Sequence, residues 1–94
     1  MGLLFKWDKR KERQNKTKHN ISFDEASTVF KDELSLTIND PLHSDAENRL
    51  IIIGESMEHR LLVVIHTERN NHIRIISARK ATKNERRYYE SEQK

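Results

Sequence analysis

The segment Arg60–Ala81, RLLVVIHTERNNHIRIISARKA, constrains this chain most, because it reads as two apolar strands joined by a tight turn. Its first run, Leu61 to Ile65, is continuously apolar, which fits a central strand covered on both faces or a short buried helical segment. The β-branched content favours the strand. In the second run His72, Arg74, Ile76 and Ala78 are expected to point one way and Ile73, Ile75, Ser77 and Arg79 the other. Asn70-Asn71 lies between the runs, and asparagine tolerates left-handed backbone angles. A two-residue primed turn is the simplest connection, with Thr67 to Asn70 as a looser alternative. The second strand ends in Ser77 and Arg79, so it presents a guanidinium group at a sheet edge, a geometry suited to phosphate.

Length and composition limit what this hairpin can belong to. Residues 1–94 are long enough for a single domain with one core. Apolar residues make up 34% of the chain and charged residues 35%, so the core must be compact and a partner can cover part of the charged surface. The absence of cysteine excludes disulfides and thiolate metal sites. The leading Met1 to Phe5 run is too short for a signal peptide, and Lys6 stands where a myristoylation motif needs serine or threonine. No apolar run approaches a membrane span, and a cytoplasmic location is expected.

The formal charge of +3 conceals a segregation. Residues 1–20 carry seven Lys/Arg against two Asp/Glu, residues 21–58 two against nine, and residues 59–94 nine against four. Two basic ends therefore flank an acidic middle. If the fold brings those ends together they form one positive surface of the kind that attracts a phosphate backbone; otherwise the cations merely solvate two helices.

The remaining elements follow from local signals. A short strand is expected at Leu4 to Trp7. Asp8 can cap a helix over Lys9 to Lys18 that stops near His19-Asn20. That helix has almost no apolar residue and must be held by aliphatic stems and the Phe5 to Trp7 segment. Ser22-Phe23-Asp24-Glu25 is a capping box, and Phe23, Ala26, Val29 and Phe30 form an apolar stripe behind it. Leu34, Leu36 and Ile38 alternate with polar residues as a strand ended by Asp40-Pro41. Leu42 to Asn48 reads as loop, and Leu50 to Ile53 as a strand ended by Gly54. Thr82-Lys83-Asn84-Glu85 repeats the capping-box pattern and opens a last helix. Strands clustered after helices imply an α+β fold: two N-terminal helices and one C-terminal helix on a mainly antiparallel sheet.

Trp7-Asp8 with Lys11, Asn15, Lys18-His19, Ser22-Phe23 with Glu25-Ala26, Asp40-Pro41, His43-Ser44, RLLVVIHTER, IRIISARKAT and Glu85-Arg86 with Tyr89 together resemble the BrnT family. These are ribonuclease toxins of bacterial type II toxin-antitoxin systems. The resemblance runs from Phe5 to Glu90 and rests on the order and spacing of motifs that are individually weak. One departure is Asn20, where the family usually carries glycine; both tolerate a left-handed cap. The resemblance implies a RelE-like fold and toxic cleavage of RNA without obligatory ribosome binding. It also implies neutralisation by a BrnA-type antitoxin in a hetero-oligomer. That complex would repress its own promoter, with DNA contacts made mainly by the antitoxin.

RNA cleavage by its own 2′-hydroxyl needs a base, positive charge on the phosphorane and an acid for the leaving 5′-oxygen. Arg79 is the first candidate, as a bidentate phosphate donor; its structural alternative is a salt bridge from strand end to helix start with Glu85. Arg69 is a further candidate at the opposite end of the hairpin, or it simply solvates the turn. Lys11, Lys18 and His19 fall near one face of the first helix, since seven residues make almost two turns. His19 can serve as acid or base by its reference pKa, or as a helix-terminal residue favoured by the dipole. His66 reads as a satisfied core or rim histidine. Glu85 and Arg86 could orient Arg79, while Arg74, Lys18, Arg86 and Tyr89 are candidate RNA contacts; packing on the sheet is the alternative for the tyrosines. Asp40, His43 and Asp45 lack the spacing of a metal motif, and no cofactor is called for. Glycine loops that cradle phosphate are excluded, because Gly2 and Gly54 are the only glycines. The alternative from another class is a non-catalytic nucleic-acid- or partner-binding module using the same basic surface.

Overall fold

The computed structural model describes residues 3–40 and 48–93. Strand β1 (Leu4–Lys6) is followed by helices α1 (Lys9–His19) and α2 (Phe23–Thr28) and a 3-10 turn at Val29–Lys31. Strands β2 (Leu36–Asn39), β3 (Leu50–Glu55), β4 (Leu61–Arg69) and β5 (His72–Lys80) come next, and helix α3 (Lys83–Ser91) closes the order. The strands form one sheet in the order β1-β5-β4-β3-β2. β1 runs parallel to β5, and the other three pairings are antiparallel. The fold is α+β, as expected, on a mixed sheet.

The caps set the helix limits. Asp8 accepts the Arg10 and Lys11 backbone N–H groups at 2.7 and 3.4 Å, and Asn20 ends α1 with a left-handed φ of 58°. The box at Thr82 is complete: its hydroxyl accepts the Glu85 N–H and the Glu85 carboxylate accepts the Thr82 N–H. Only half of the box at Ser22 forms. Ser22 Oγ accepts the Glu25 N–H at 3.0 Å, but the Glu25 carboxylate turns instead to Arg60 and to Ser56 Oγ. That ion pair ties α2 to the β3–β4 turn and holds the Glu25 carboxyl below its ordinary range, with Arg60 the largest cause.

Two clusters fill the two faces of the sheet. On one face Ile21, Phe23, Ala26 and Val29 pack on Leu62, Val64, Ile73, Ile75 and Ala78; on the other, Ile53, Leu61 and Val63 meet Ala81 and Tyr89 of the α3 region. Two-sided coverage explains the unbroken apolar run of β4. β3 continues through Gly54 to Glu55, where a strand end was expected. The glycine permits close approach, since a Cβ there would lie 2.8 Å from Val29 Cγ1 and 3.0 Å from Ser35 Cβ.

The hairpin is closed by Asn70-Asn71, flanked by the Arg69–His72 pair, and Asn70 takes a φ of 50°. The expected alternation of β5 fails at one point. Ile65 faces Ser77 but His66 faces Ile75, so Ile76 is an extra, bulged residue. Beyond the bulge the faces exchange. Ala78 joins Ile73 and Ile75 in the core, whereas it was expected with His72 and Arg74, and Arg79 lies opposite Val63 on the other face.

Candidate functional site

Helix α1 is polar along its length, yet it lies against β5 through one buried side chain. Asn15 is 6% exposed; its Nδ2 donates to the Ile21 carbonyl at 3.0 Å and its Oδ1 accepts the Ala78 N–H at 3.1 Å. β1 pairs with β5 only as far as Arg74, so past that point the asparagine stands in for a neighbouring strand. Lys11 precedes Asn15 by four residues, and Lys18 and His19 follow it by three and four. All therefore lie on the side of α1 that faces β5. The result is a seam with a basic depression on either side of Asn15.

The first depression, about 110 Å³, is lined by Lys11, Thr67, Arg69, Arg74 and Ile76. Thr67 pairs directly with Arg74 across β4 and β5, and the bulge at Ile76 forms part of the wall. Three cations from three elements share this small space, and no carboxylate lines it. Like charges so placed repel one another, and an anion bound among them would offset that cost.

The second depression is broader, about 550 Å³, and is lined by Thr17, Lys18, His19, Asn20, Arg79, Lys80 and Thr82. Here the arginine is neutralised. Arg79 Nη1 and Nη2 donate to Glu85 Oε1 and Oε2, both at 2.8 Å, and Nη1 also reaches the Lys80 carbonyl at 3.3 Å. Arg79 holds the Glu85 carboxyl down at about 2. The bidentate fork is thus directed at the start of α3, which is the structural alternative read from the sequence.

Lys11, His19 and Arg79 do not form one site. Lys11 and His19 are eight residues apart, roughly 12 Å along a helix axis at 1.5 Å per residue. Lys11 gathers with Arg69 and Arg74, while Lys18 and His19 gather with Arg79. Tyr89 packs on the face of Ile53 and Leu61, and its hydroxyl donates to Asp32 Oδ2 at 2.6 Å. Burial pushes the Asp32 carboxyl up, but hydrogen bonds from the Glu55 N–H, Tyr89 and the Leu34 N–H bring it below its ordinary value. Burial, followed by the Asp32 hydrogen bond, raises the Tyr89 phenol. Arg86 is exposed on α3.

His66 is fully buried with its ring edge-on to Phe30, centroids 4.8 Å apart. It is a core histidine, but only half satisfied: Nδ1 lies 3.4 Å from the Val64 carbonyl and Nε2 has no hydrogen-bond partner. Of the loop considered for metal, His43 and Asp45 lie outside the described residues. Among the described residues no three of His, Cys, Asp and Glu gather to hold an ion, and no helix is long and apolar enough to cross a membrane. Sequence reasoning missed Thr67, Ile76 and Lys80 as lining residues. A bulge has no local signature in IRIISAR, and only the pairing of β4 with β5 reveals it.

Comparison with known proteins places this geometry. The family model described as "Ribonuclease toxin, BrnT, of type II toxin-antitoxin system" matches residues 7–85. That span takes in α1, the whole sheet after β1 and the start of α3. No curated protein matches the chain. Among solved structures, the 1.1 Å crystal structure of the Brucella abortus ribonuclease toxin BrnT superposes with a TM-score of 0.68 at 22% identity, covering 87% of this chain and 100% of that one. The fold is therefore that of BrnT, and with the family model spanning both basic depressions, the chain belongs to the BrnT family of ribonuclease toxins of type II toxin-antitoxin systems.

Proposed function

We propose that the chain is a metal-independent endoribonuclease of RelE-like fold, and that the depression of Lys11, Arg69 and Arg74 holds the scissile phosphate. The observation that carries this reading is the convergence of three cations from α1, β4 and β5 on a small pocket without a carboxylate. The 2′-hydroxyl gives its proton to solvent water as its oxygen attacks the adjacent phosphorus and the bond to the 5′-oxygen breaks, and the charge that builds on the phosphorane oxygens is met by Arg69 and Arg74. One preorganised donor of this kind is typically worth about 10²- to 10³-fold in rate. Guanidinium groups do not exchange protons near neutrality, so Lys11 is the lining side chain able to give a proton to the departing 5′-oxygen. The products are a 2′,3′-cyclic phosphate and a 5′-hydroxyl.

Lys18 and His19 line the broader depression at the far end of the seam, where they contact a neighbouring nucleotide of the same strand. Arg79 and Glu85 brace β5 to α3 and keep that depression open. Arg86, exposed on the same helix, extends the basic surface. In the cell such cleavage inhibits translation and growth, and a BrnA-type antitoxin neutralises it, with DNA reached only through the toxin-antitoxin complex. The test is incubation of the purified chain with single-stranded RNA in excess EDTA. Cleavage leaving cyclic phosphate ends is expected. A requirement for Mg²⁺, or 5′-phosphate products, would contradict the mechanism. Binding without cleavage would leave the chain an RNA-binding module.

A further inference from the structure

We propose that a groove at the hairpin end of the sheet, away from the basic seam, docks a segment of the antitoxin that presents a large apolar side chain beside a lysine or arginine. The proposal rests on the toxin-antitoxin reading and adds the surface and the chemistry of the contact. The groove holds about 570 Å³ where β1, Phe30 and the β4–β5 turn meet, and its walls include Leu3, Leu4, Phe30, Ile73 and Glu68. Leu3 and Leu4, 57% and 61% exposed, both border the groove, so its apolar wall is open to solvent. Such a wall rimmed by polar groups marks an interaction surface.

The charge around the groove selects the occupant. No lysine or arginine lines it; Glu68 and His72 are its titratable lining residues, and the Glu68 carboxylate at the rim favours a cation over a phosphate. Beneath Glu68 lies the orphaned nitrogen of His66. That nitrogen lies 3.6 Å from Glu68 Oε2, beyond hydrogen-bond distance. Burial lowers the His66 pKa and so favours the neutral ring. A cationic side chain arriving from outside would complete the Glu68 carboxylate, which is 56% exposed, while its apolar neighbour fills the space between Leu4 and Phe30. An isologous contact with a second copy would bring another Glu68 to the same rim, which disfavours that occupant.

The test compares wild type, Leu4→Glu and Glu68→Lys for affinity to a purified BrnA-type antitoxin that binds the wild-type chain and for RNA cleavage by the free toxin. Both substituted side chains are exposed, and thermal melts check that each variant is folded. The expected result is antitoxin binding weakened at least tenfold in each variant, with RNA cleavage not lowered. Affinities within twofold of wild type would overturn the proposal. So would cleavage that falls in step with antitoxin binding, which would make the groove part of the RNA surface, or self-association of the toxin that Leu4→Glu abolishes. A wild-type chain that binds antitoxin through the groove but cleaves no RNA would sink the ribonuclease reading alone.

Discussion

The two depressions along the seam are both lined by lysine and arginine and by no carboxylate, but they differ in what lies behind the arginine. In the broader one Arg79 meets Glu85 in a two-point ion pair, so its charge is answered within the fold. In the narrower one Lys11, Arg69 and Arg74 converge with no acid among the lining residues. The difference separates two kinds of arginine: the first has its geometry fixed by an internal anion, the second is held among like charges. Composition cannot make that distinction, because both sites are rich in lysine and arginine.

The comparison can be broken by substitution. The largest effect is expected from Arg69→Ala, which should lower single-turnover RNA cleavage by about 10²- to 10³-fold with little change in melting temperature. If Arg79→Ala is the more damaging of the two in that assay, the roles assigned to the depressions are reversed. Next comes Asn15→Ala, which removes the contact that fixes both depressions and strands the buried Ala78 N–H; a loss of about 1–3 kcal/mol in denaturant unfolding is expected, together with slower cleavage. An unchanged stability would mean that α1 is held by something other than this asparagine.

Arg79→Ala should cost about 1 kcal/mol, a figure reduced for solvent screening because the side chain is 38% exposed. The same pair predicts an acid signature. The folded Glu85 carboxyl sits at about 2 against an ordinary 4.5, so its contribution is complete above pH 4.5 and is lost as pH falls towards 2. Stability of the wild type should therefore fall more steeply than that of Glu85→Gln between those values; parallel curves would remove the ion pair from the account. The smallest effect is that of Lys18→Ala, a few-fold rise in KM that shrinks at high salt, read from cleavage at two ionic strengths.

Much of the frame was legible because it rests on local rules. Asp8, Asn20 and Thr82 mark helix limits through side-chain bonds to nearby backbone, and Asn70-Asn71 marks the hairpin. What could not be read depends on partners far along the chain. The bulge at Ile76 is set by the register of β4 against β5, and it decides which face carries Arg79. Glu25 completes a capping box on paper, but Arg60, thirty-five residues away, takes its carboxylate. Asn15 looked like one polar residue in a polar helix; its burial follows from β1 ending at Lys6. Arg79 carried two readings, phosphate or Glu85, and both residues were visible, but only geometry shows the ion pair formed.

The central claim, that Arg69 and Arg74 rather than Arg79 meet the phosphate, is tested most directly by following the three arginine Nε–H signals by NMR during titration with a 2′-O-methyl RNA that cannot be cleaved. The account predicts large shifts for Arg69 and Arg74 at low RNA concentration while the Arg79 signal stays in place. Movement of the Arg79 signal with Arg69 and Arg74 unmoved would contradict it.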